Sequence, residues 1–566
     1  MQNFYALRIS IGALLGALGL LLAAPGARAQ APIWQTAVAV NGAASMVTAT
    51  AIDASGNAYV AGYFTGTVSF GATTLTSAGD RDVFVAKWSR ASAAFVWAQR
   101  AGGTGSDDAT AVAVSGAGVY VAGQFTGTAT FGGRGITSFG LNDAFTAKLT
   151  DGGTNGGWEW AVPLGGAGSD QAYALAVSGA SVYVAGVFNS AVFHLGPLTL
   201  INASTNGATA DGFVAKLADA GPVGTVAWAQ QVGGSGSDFV TALAATGNTV
   251  YVTGQFSNTV AFGGTALIGG GLSAFVAKLV DAGLSSQFTW AIRAGGIVIA
   301  NAVAVTGANV YVAGRLIFSA TFGSTSFTSM GSLGGYDAFV TKIADAGNMG
   351  SFAWAVAAGG PRSDYAAGVA ASVANVYVVG GFSGISSFGN TSLTGVGSAD
   401  IIFITKLTDA GSTGSFIWAM PVAGSGPQLA ATVAVDSGRG VYMGGGALLP
   451  ISFGSITLTG TPGANAGFLA SFADPTLTAT VPALTAAAVT VFPNPAHTAV
   501  TVQLPFLPGV PPATLTLLDA LGRPVRTQTP ATNARTNLDL NGLTPGIYAL
   551  RVQVGASTVT RRLVVE

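Results

Sequence analysis

The sequence predicts an all-β protein, because short apolar runs separated by turn residues recur in seven similar units. The units repeat at intervals of about 64 residues. Glycine, serine, asparagine and aspartate lie between the runs, and these residues permit tight turns. This period, with several strands per unit, predicts a seven-bladed β-propeller that is followed by a small antiparallel β-sandwich. One tyrosine in an apolar run marks each unit: Tyr59, Tyr120, Tyr183, Tyr251, Tyr311, Tyr377 and Tyr442.

Residues 1–29 are predicted to be a cleaved signal peptide. Arg8 precedes an apolar core from Ile9 to Leu22, and Ala27-Arg28-Ala29 is a small-x-small cleavage site. The alternative, a membrane anchor, is disfavoured because the apolar core is shorter than a spanning helix requires. Later runs are interrupted by glycine, serine and threonine, so we expect no transmembrane segment after signal cleavage.

The order of runs within residues 30–474 predicts how the propeller closes. In six units an F-V-A-K-L-like run precedes a Trp-Ala run, often across a turn such as Asp281-Ala282-Gly283. Two such runs are typical of a hairpin at the outer half of a blade. The last F-V-A-K-L-like run ends at Phe472 without a tryptophan run after it, whereas Trp34 stands alone at the start. We therefore expect the strand near Trp34 to complete the last blade, which removes the exposed edges of an open array.

The repeated phrases resemble the bacterial seven-bladed β-propeller (SBBP) repeat family. The matching pattern is G-S-D-(x)-A…A-V…V-Y-V-A-G-x-F…F-G…D-A-F-V-A-K-L…W-A, and it recurs seven times. Two units depart from it: Ser273 replaces the aspartate before A-F-V-A-K, and Ala470-Ser471-Phe472 replaces A-K-L. The resemblance implies the fold and is almost silent on activity.

A different module follows an aperiodic linker at residues 475–488. Residues 489–566 contain several short strands, which suggests the small sandwich. The phrases V-F-P-N-P, L-L-D-A-L-G-R-P-V, L-T-P-G-I-Y-A-L-R-V and R-R-L-V-V resemble the type A C-terminal sorting domain of the type IX secretion system. The resemblance implies recognition by the type IX outer-membrane machinery and delivery to the cell surface or medium. The residues carried by these phrases are Pro493, Asn494, Pro495, Gly522, Pro545, Gly546, Tyr548, Arg561 and Arg562.

Four aspartates at equivalent loop positions are candidate ligand-binding residues. Their pattern is typical of turn carboxylates that accept backbone N–H bonds. The functional alternative is a set of acidic oxygens that face Ca²⁺ or a sugar, but no loop has EF-hand spacing, so we predict no metal site. The four residues are Asp107, Asp170, Asp238 and Asp364.

Trp158 and Glu159 are further candidates, because no other unit has a tryptophan or glutamate there. Trp158 is either an exposed stacking platform for a sugar or an ordinary loop aromatic. Glu159 is one of only two glutamates, and a carboxylate-only glycosidase would need such a residue as acid or base.

All six lysines occupy one repeat position, which indicates a structural role with the head group paired or solvated. The alternative is a cationic ring around an anionic ligand, left incomplete by Ser471 in the seventh unit. Histidine is confined to His194 and His497, which disfavours a Ser-His-Asp relay. The lysines are Lys87, Lys148, Lys216, Lys278, Lys342 and Lys406.

These patterns favour a secreted or cell-surface scaffold that binds or supports without catalysis, and no cofactor is expected. The alternative is an extracellular polysaccharide-active enzyme or lectin that uses loop carboxylates. Expected partners are the general secretion machinery, the type IX machinery and an extracellular glycan or protein. The formal net charge of −1 disfavours nucleic acid, and the absence of cysteine excludes disulfides.

Overall fold

A computed structural model describes residues 31–204, 208–331, 334–395, 399–424, 426–461, 463–477, 489–503, 513–529, 535–554 and 557–566. The predicted signal peptide and most of the predicted linker lie outside these ranges. The described residues form β-strands joined by turns and loops, with no α-helix among them. The predicted all-β class is therefore confirmed. In the same ranges no helix has the length and hydropathy needed to cross a membrane.

The main strands of residues 34–473 form seven four-stranded antiparallel units, which we call sheets 1 to 7 along the chain. Pairing between Gly118–Phe131 and Ala94–Gly103 also joins sheets 1 and 2 to each other. The first strands are Ser45–Ile52, Asp108–Ser115, Asp170–Ser178, Asp238–Thr246, Gly295–Thr306, Asp364–Ser372 and Gln428–Val435. The second strands are Ala58–Phe64, Gly118–Phe131, Ser181–Phe188, Thr249–Phe256, Asn309–Phe322, Asn375–Phe382 and Gly440–Leu448. The third strands are Asp82–Ser89, Arg134–Asp151, Asp211–Asp219, Ser273–Asp281, Tyr336–Asp345, Ile401–Asp409 and Asn465–Ala473. The fourth strands are Ala94–Gly103, Gly156–Leu164, Gly224–Gly234, Ser286–Arg293, Gly350–Ala358, Gly414–Pro421 and Trp34–Ala39.

The second and third strands are the best-buried part of each sheet. In sheet 3, for example, the residues from Val182 to Phe188 are at most 3% exposed. Side chains therefore meet protein on both strand faces, which explains why the runs are almost continuously apolar instead of alternating. Each hydrophobic cluster draws on two neighbouring sheets, as in the cluster that joins Tyr183 of sheet 3 to Phe256 of sheet 4.

A short hairpin projects between the second and third strands of each sheet and covers the end of the preceding sheet. Its Phe-Gly turn buries one large apolar side chain, such as Phe262 at 1% exposure. The hairpin strands outside the long second and third strands are Thr67–Phe70, Thr73–Thr76, Val192–Leu195, Leu198–Ile201, Thr259–Phe262, Thr265–Ile268, Thr325–Thr328, Ile385–Phe388, Thr391–Thr394, Ile451–Phe453 and Ile456–Leu458. Two short strands, Asn41–Gly42 and Ala423–Gly424, pair with these hairpins.

The N-terminal strand Trp34–Ala39 completes sheet 7, as the sequence leads us to expect. It pairs antiparallel with Asn465–Ala473, with Trp34 opposite Phe472 and Thr36 opposite Ser471. This register shows that Thr36 occupies the position of the repeated Trp-Ala tryptophan. Matching Trp34 to the tryptophan of the Trp-Ala runs is therefore wrong: sheet 1 has the same register shift, and Trp34 occupies the position of Phe95, whereas Thr36 occupies that of Trp97.

Neighbouring sheets are joined by side chains that bridge their first strands. The hydroxyl of Thr48 donates to the carbonyl of Ala109 at 2.7 Å, and the hydroxyl of Thr110 donates to the carbonyl of Ala172 at the same distance. The amide of Asn301 donates to Ala366 at 2.8 Å in the equivalent place. Backbone pairing does not close the seven sheets into one, so strand pairing alone establishes the all-β class and the propeller stays a prediction.

The first residues of the predicted linker pack against sheet 7. Leu477 is 3% exposed and lies in the cluster around Trp418 and Phe472. Thr476 donates to the side chain of Asp474 at 2.8 Å. The packed region therefore extends to Leu477, three residues beyond the predicted boundary, and the rest of the predicted linker lies outside the described residues.

The C-terminal module consists of two antiparallel sheets around one core. One sheet contains Thr490–Phe492, Ala499–Gln503 and Arg535–Asp539, and the other contains Thr514–Leu518, Pro524–Gln528, Gly546–Val554 and Ser557–Val565. Alternate residues such as Val500, Leu515, Leu550 and Leu563 are at most 1% exposed and form the shared core.

Candidate functional site

The four predicted loop aspartates lie at the start of first strands and are buried. Asp107 is 1% exposed, and Asp170, Asp238 and Asp364 are 0% exposed. Asp107 accepts hydrogen bonds from the N–H groups of Gly103 at 2.7 Å and Thr126 at 3.2 Å. These contacts are those of a turn carboxylate. A carboxylate so enclosed is not available to a sugar or to an ion in solution.

Each of these aspartates faces a second buried aspartate that sequence reasoning missed. The second residue begins the third strand of the preceding sheet, as Asp211 does in sheet 3. The signal in the sequence was the D of D-A-F-V-A-K, read only as part of a strand. We call the two residues an acid pair. The acid pairs are Asp82 with Asp107, Asp143 with Asp170, Asp211 with Asp238, and Asp337 with Asp364.

The acid pairs hold carboxyl groups that resist ionisation. Burial, and then the charge of Asp211, raises the pKa of Asp238 to about 8. Burial also raises the pKa of Asp364 to about 7, with Asp337 adding to the shift. Taking a carboxylate out of water disfavours its charged form, and a second carboxylate nearby has the same effect.

Trp158 lies in a strand and not in a loop, and its position is a repeated packing position. Its indole packs edge-on against Phe131 at a centroid distance of 5.0 Å, and its N–H donates to the carbonyl of Arg100 at 3.0 Å. Phe288 packs edge-on against Phe262 in the same way at 5.3 Å. The prediction that Trp158 has no equivalent in the other units is therefore wrong. The residues at the equivalent position of the other sheets are Phe95, Val226, Phe288, Phe352, Phe416 and Trp34.

Glu159 is held in an ion pair. Its carboxylate lies 2.8 Å from the ammonium group of Lys148 and accepts a hydrogen bond from the hydroxyl of Thr150. Burial acts to raise the pKa of Glu159, but the hydrogen bonds from Lys148 and Thr150 outweigh it and hold the pKa below its ordinary value. A carboxylate kept ionised in this way is poorly suited to act as a general acid.

The six lysines lie at the other end of the sheets, each buried and paired. Lys216 is 8% exposed, and its ammonium group lies 2.6 Å from Asp281 of the next sheet. The tyrosine and tryptophan of the same row also donate to that carboxylate, Tyr183 at 2.7 Å and Trp228 at 3.0 Å. The paired-head interpretation is confirmed, and the alternative of an open cationic ring is wrong because each charge is neutralised.

We call this arrangement a Lys–Asp cluster, and its lysine, tyrosine and aspartate recur at six junctions between sheets. At the sixth, Thr476 and not a tryptophan is the further side-chain donor to Asp474. The three donors sit side by side because Tyr183 is opposite Lys216, and Lys216 is opposite Trp228, in adjacent strands. Burial acts to raise the pKa of Asp281, but the hydrogen bonds from the three donors outweigh it and lower the pKa. The lysine–aspartate pairs are Lys87–Asp151, Lys148–Asp219, Lys216–Asp281, Lys278–Asp345, Lys342–Asp409 and Lys406–Asp474.

The junction of sheet 7 with sheet 1 has a different ion pair. The lysine position holds Ser471, and the position of the cluster aspartate in sheet 1 holds Arg90. Arg90 instead reaches Asp436 of sheet 7 at 2.7 Å. The hydroxyl of Tyr442, the seventh anchor tyrosine, donates to the carbonyl of Gly56 at 2.9 Å.

The seven first strands together line a channel of about 270 Å³. Small and polar residues such as Thr50, Ala111 and Ala302 face it. At the acid-pair end of these strands, the residue after the glycine of V-Y-V-A-G differs between units. That position holds Tyr63, Gln124, Val187, Gln255, Arg315, Gly381 and Gly446.

Two clusters of polar and aromatic side chains occupy this end, which we call the channel mouth. In the first, Arg81 stacks over Tyr63 at 4.8 Å and pairs with Asp108 at 3.4 Å. In the second, Arg315 stacks over Tyr336 at 4.8 Å, and Tyr336 lies 6.2 Å from the ring of Tyr365. Burial, with the charge of Asp400, raises the pKa of Tyr365.

Both histidines are exposed. His194 is exposed on a hairpin of sheet 3, and its ring lies 5.9 Å from Phe139. His497 lies in the C-terminal module, 3.9 Å from Glu566. Across the part of the chain that the structure describes, no group of three or more His, Cys, Asp or Glu residues could hold a metal ion.

The predicted sorting residues lie on turns and edges of the C-terminal module. Arg561 donates to the carbonyl of Val489 at 2.8 Å, and Asn494 donates to the carbonyl of Arg562 at 2.9 Å. Tyr548 donates to the carbonyl of Thr544 at 2.8 Å, across the Pro545-Gly546 turn. Gly522 closes another turn with a φ of 76°, and the flanking prolines of P-N-P are Pro493 and Pro495.

Residues 490–566 match a family model described as a secretion system C-terminal sorting domain. No curated protein sequence matches this chain. Among solved structures, one described as the extracellular domain of a hybrid two component system from B. thetaiotaomicron is similar at 9% identity. The match covers 92% of this chain and 97% of that chain, and the TM-score is 0.15. The sorting tail supports a secreted protein that the type IX machinery exports towards the cell surface.

Proposed function

We propose that the seven sheets form a closed seven-bladed ring that acts outside the cell as a non-enzymatic binding scaffold of the SBBP type. The observation that carries this proposal is the channel lined by the first strands of all seven sheets. Side chains that differ from unit to unit collect at its mouth, whereas the Lys–Asp clusters and acid pairs repeat. A scaffold with one individualised surface is the arrangement expected of a binding protein.

Ring closure is supported by packing between the last and first sheets. Tyr442 and Leu469 of sheet 7 belong to the same hydrophobic cluster as Val60 and Phe84 of sheet 1. The indole of Trp88 meets the ring of Tyr442 edge-on at 6.3 Å. This contact has the same character as the contacts between sheets that follow one another in the chain.

Charge complementarity at that junction supports closure independently. The lysine position is lost only in sheet 7 and the cluster aspartate only in sheet 1, and these two positions face the same junction. A lysine at position 471 would meet Arg90, and an aspartate at position 90 would meet Asp436, so both substitutions avoid like-charge contact. In an open array the residues at positions 471 and 90 would not meet, so their charges would not be expected to change together.

The channel mouth is the proposed ligand surface. Arg81 and Arg315 are stacked on tyrosines, and Asp108, Gln255 and Arg315 each keep one buried polar atom without a hydrogen-bond partner among the described residues. Aromatic rings with nearby hydrogen-bonding groups suit sugars and extended polar chains. An extracellular glycan or protein segment is therefore the proposed ligand class.

The polysaccharide-active enzyme remains the second candidate. It would need two accessible carboxyl groups with different protonation, as glycosidases have. The loop aspartates are enclosed and Glu159 is paired with Lys148, so the support for it is weaker than for a binding role.

Binding and hydrolysis are separated by one set of assays on the secreted protein. We expect retention on some immobilised polysaccharide without release of reducing ends. The double substitution Arg81→Ala with Arg315→Ala should reduce retention at least tenfold, whereas Arg134→Ala, at an exposed site on an outer hairpin, should leave it unchanged. Turnover that is lost in Glu159→Gln would instead support the enzyme.

The proposed partners in export are the general secretion machinery and then the type IX outer-membrane machinery. Deleting residues 489–566 should leave the protein in the periplasm, because the matched tail would no longer be presented. Fractionation followed by immunodetection measures this. Unchanged surface delivery would contradict the assigned role of the tail.

A further inference from the structure

We propose that each acid pair is a proton-binding site, in which one shared proton joins two buried carboxylates across a junction between sheets. The four pairs would make the junctions most stable when protonated and would loosen them as the pH rises. The proposal concerns groups that face no ligand, so it stands or falls separately from the binding role.

The geometry of the pair at Asp82 and Asp107 brings the two carboxylates to one point. Gly102 lies between them, and a Cβ atom at that glycine would meet Oδ1 of Asp82 at 2.5 Å and Oδ2 of Asp107 at 2.8 Å. Glycine is required there because the two acids already occupy the space.

One atom lacks a partner in every pair. The Oδ2 atoms of Asp82, Asp143, Asp211 and Asp337 each accept an N–H from the preceding loop, at 2.5 to 2.8 Å. Their Oδ1 atoms are buried without a hydrogen-bond partner among the described residues, and the same is true of both oxygens of Asp238. A buried acceptor without a partner is costly, and a carboxylic O–H from the other member of the pair would satisfy it.

Paired carboxylates also occur together or not at all within this chain. Four junctions have aspartate at both positions. The other three junctions have no aspartate at either position. The residues at the two positions are Ser273 and Val298, Ile401 and Gln428, and Ala466 and Ser45. The last two have their own replacement contacts, such as the hydroxyl of Ser45 accepting the N–H of Gly467 at 3.0 Å. Concerted loss indicates that the two carboxylates serve one purpose.

A proton fits these sites better than a metal ion. Calcium takes six to eight oxygen ligands. Three of the four pairs offer a single free side-chain oxygen, because every other oxygen of the pair accepts a hydrogen bond from an N–H or hydroxyl.

Few charged groups act on the pairs from the elements packed around them. Arg100 binds Asp82 at 2.7 Å, and Asp108 adds a negative charge beside Asp107. For the Asp211–Asp238 pair, the charge of Asp211 raises the pKa of Asp238, whereas the nearby backbone N–H groups of Ser257 and Gly234 act to lower it. Gln231 donates to Asp211 at 2.6 Å. This pair therefore has no cation to compensate it among the described residues, and it is the clearest case to test.

The direction of the pH effect follows from the raised pKa of Asp238, about 8 in the fold against an ordinary value near 4. Between these values the folded state keeps a proton that the unfolded chain has released. The contribution of this acid pair to stability is therefore complete below about pH 4 and is lost as the pH rises towards 8. Each such proton changes the unfolding equilibrium constant by up to tenfold per pH unit.

The test is urea unfolding of the full chain between pH 5 and pH 9, with Asp238→Asn and a control. The asparagine amide can donate to Oδ1 of Asp211 without taking up a proton. In this variant the unfolding free energy should therefore depend less steeply on pH, by up to one bound proton, and at pH 8 the variant should be more stable relative to the wild-type protein than at pH 5. The control is Asp80→Asn, an exposed carboxylate near the same end, which should keep the wild-type slope. An unchanged slope in Asp238→Asn would overturn the proposal.

Two further readouts keep the proposal testable if a variant folds poorly. Infrared spectroscopy of the wild-type protein at pH 6 should show protonated buried carboxyl groups, and full ionisation would contradict the shared proton. Calcium should not raise the melting temperature through these sites. A calcium-dependent rise that Asp238→Asn abolishes would assign the pairs to a metal ion instead.

Discussion

The two ends of the junction between sheets 3 and 4 hold aspartates in opposite states of charge. At one end, Asp281 receives bonds from Lys216, Tyr183 and Trp228, and its pKa is lowered. At the other end, Asp238 faces Asp211, and its pKa is raised to about 8. Both aspartates are almost fully buried, at 6% and 0% exposure. Because the cost of burial applies to both aspartates, the nearest partner decides the charge of each carboxyl group.

The largest effect is expected from acid, which should protonate the aspartates of the Lys–Asp clusters. The six cluster aspartates have lowered pKa values, so their contribution to stability is complete above the ordinary pKa near 4 and is lost as the pH falls below it. We expect a steep loss of stability between about pH 4 and pH 2. The acid pairs change in the other direction, so the urea midpoint should be highest near pH 4 to 6. A midpoint that rises steadily with pH would contradict this.

The next largest effect is a difference in stability between two single variants, one in a Lys–Asp cluster and one in an acid pair. Asp281→Asn leaves the buried ammonium group of Lys216 without its counter-charge and should cost about 3 kcal/mol in the free energy of unfolding at pH 7. Asp238→Asn, at an equally buried position, should cost far less or nothing at that pH. Urea unfolding of both variants measures the difference. Equal losses would show that burial, and not the partner, sets the cost.

The junction of sheets 7 and 1 provides a smaller effect that sharpens the comparison. Ser471→Lys alone should lower the melting temperature, because the new ammonium group meets Arg90. Adding Arg90→Asp should restore a Lys–Asp cluster and recover most of the loss, a coupling of about 1 to 2 kcal/mol. Arg90→Asp alone, which faces Asp436, is the matched single variant. Additive effects of the two substitutions would contradict a shared junction and with it the closed ring.

The smallest effect is expected for the substitution Trp158→Phe. Trp158→Phe places the residue found in four equivalent positions there, so we expect a change within about 0.5 kcal/mol and unaltered retention of any bound glycan. Trp158→Ala should cost about 3 kcal/mol, because a half-buried indole that packs on Phe131 is lost. Thermal unfolding and the retention assay measure both. Loss of retention in Trp158→Phe would restore the sugar-platform interpretation.

The repeat, the all-β class and the strand that completes the last sheet could all be predicted from the sequence. Periodic phrases fix which residues form strands, and the spare run at Trp34 had one free position to fill. The sequence motifs of the C-terminal module were also sufficient to predict export, because short phrases in a fixed order identify a sorting module without a structure.

The partners and the ionisation of the buried lysines and aspartates became clear only from the tertiary fold. Asp281 lies 65 residues from Lys216 in the chain, and Asp238 lies 27 from Asp211, so neither partnership is a local pattern. The candidates chosen from loops turned out to be buried, because a G-S-D turn looks the same whether it faces solvent or a neighbouring sheet. Partner and burial together set the charge of a carboxyl group, and both arise only when strands distant in the chain come into contact.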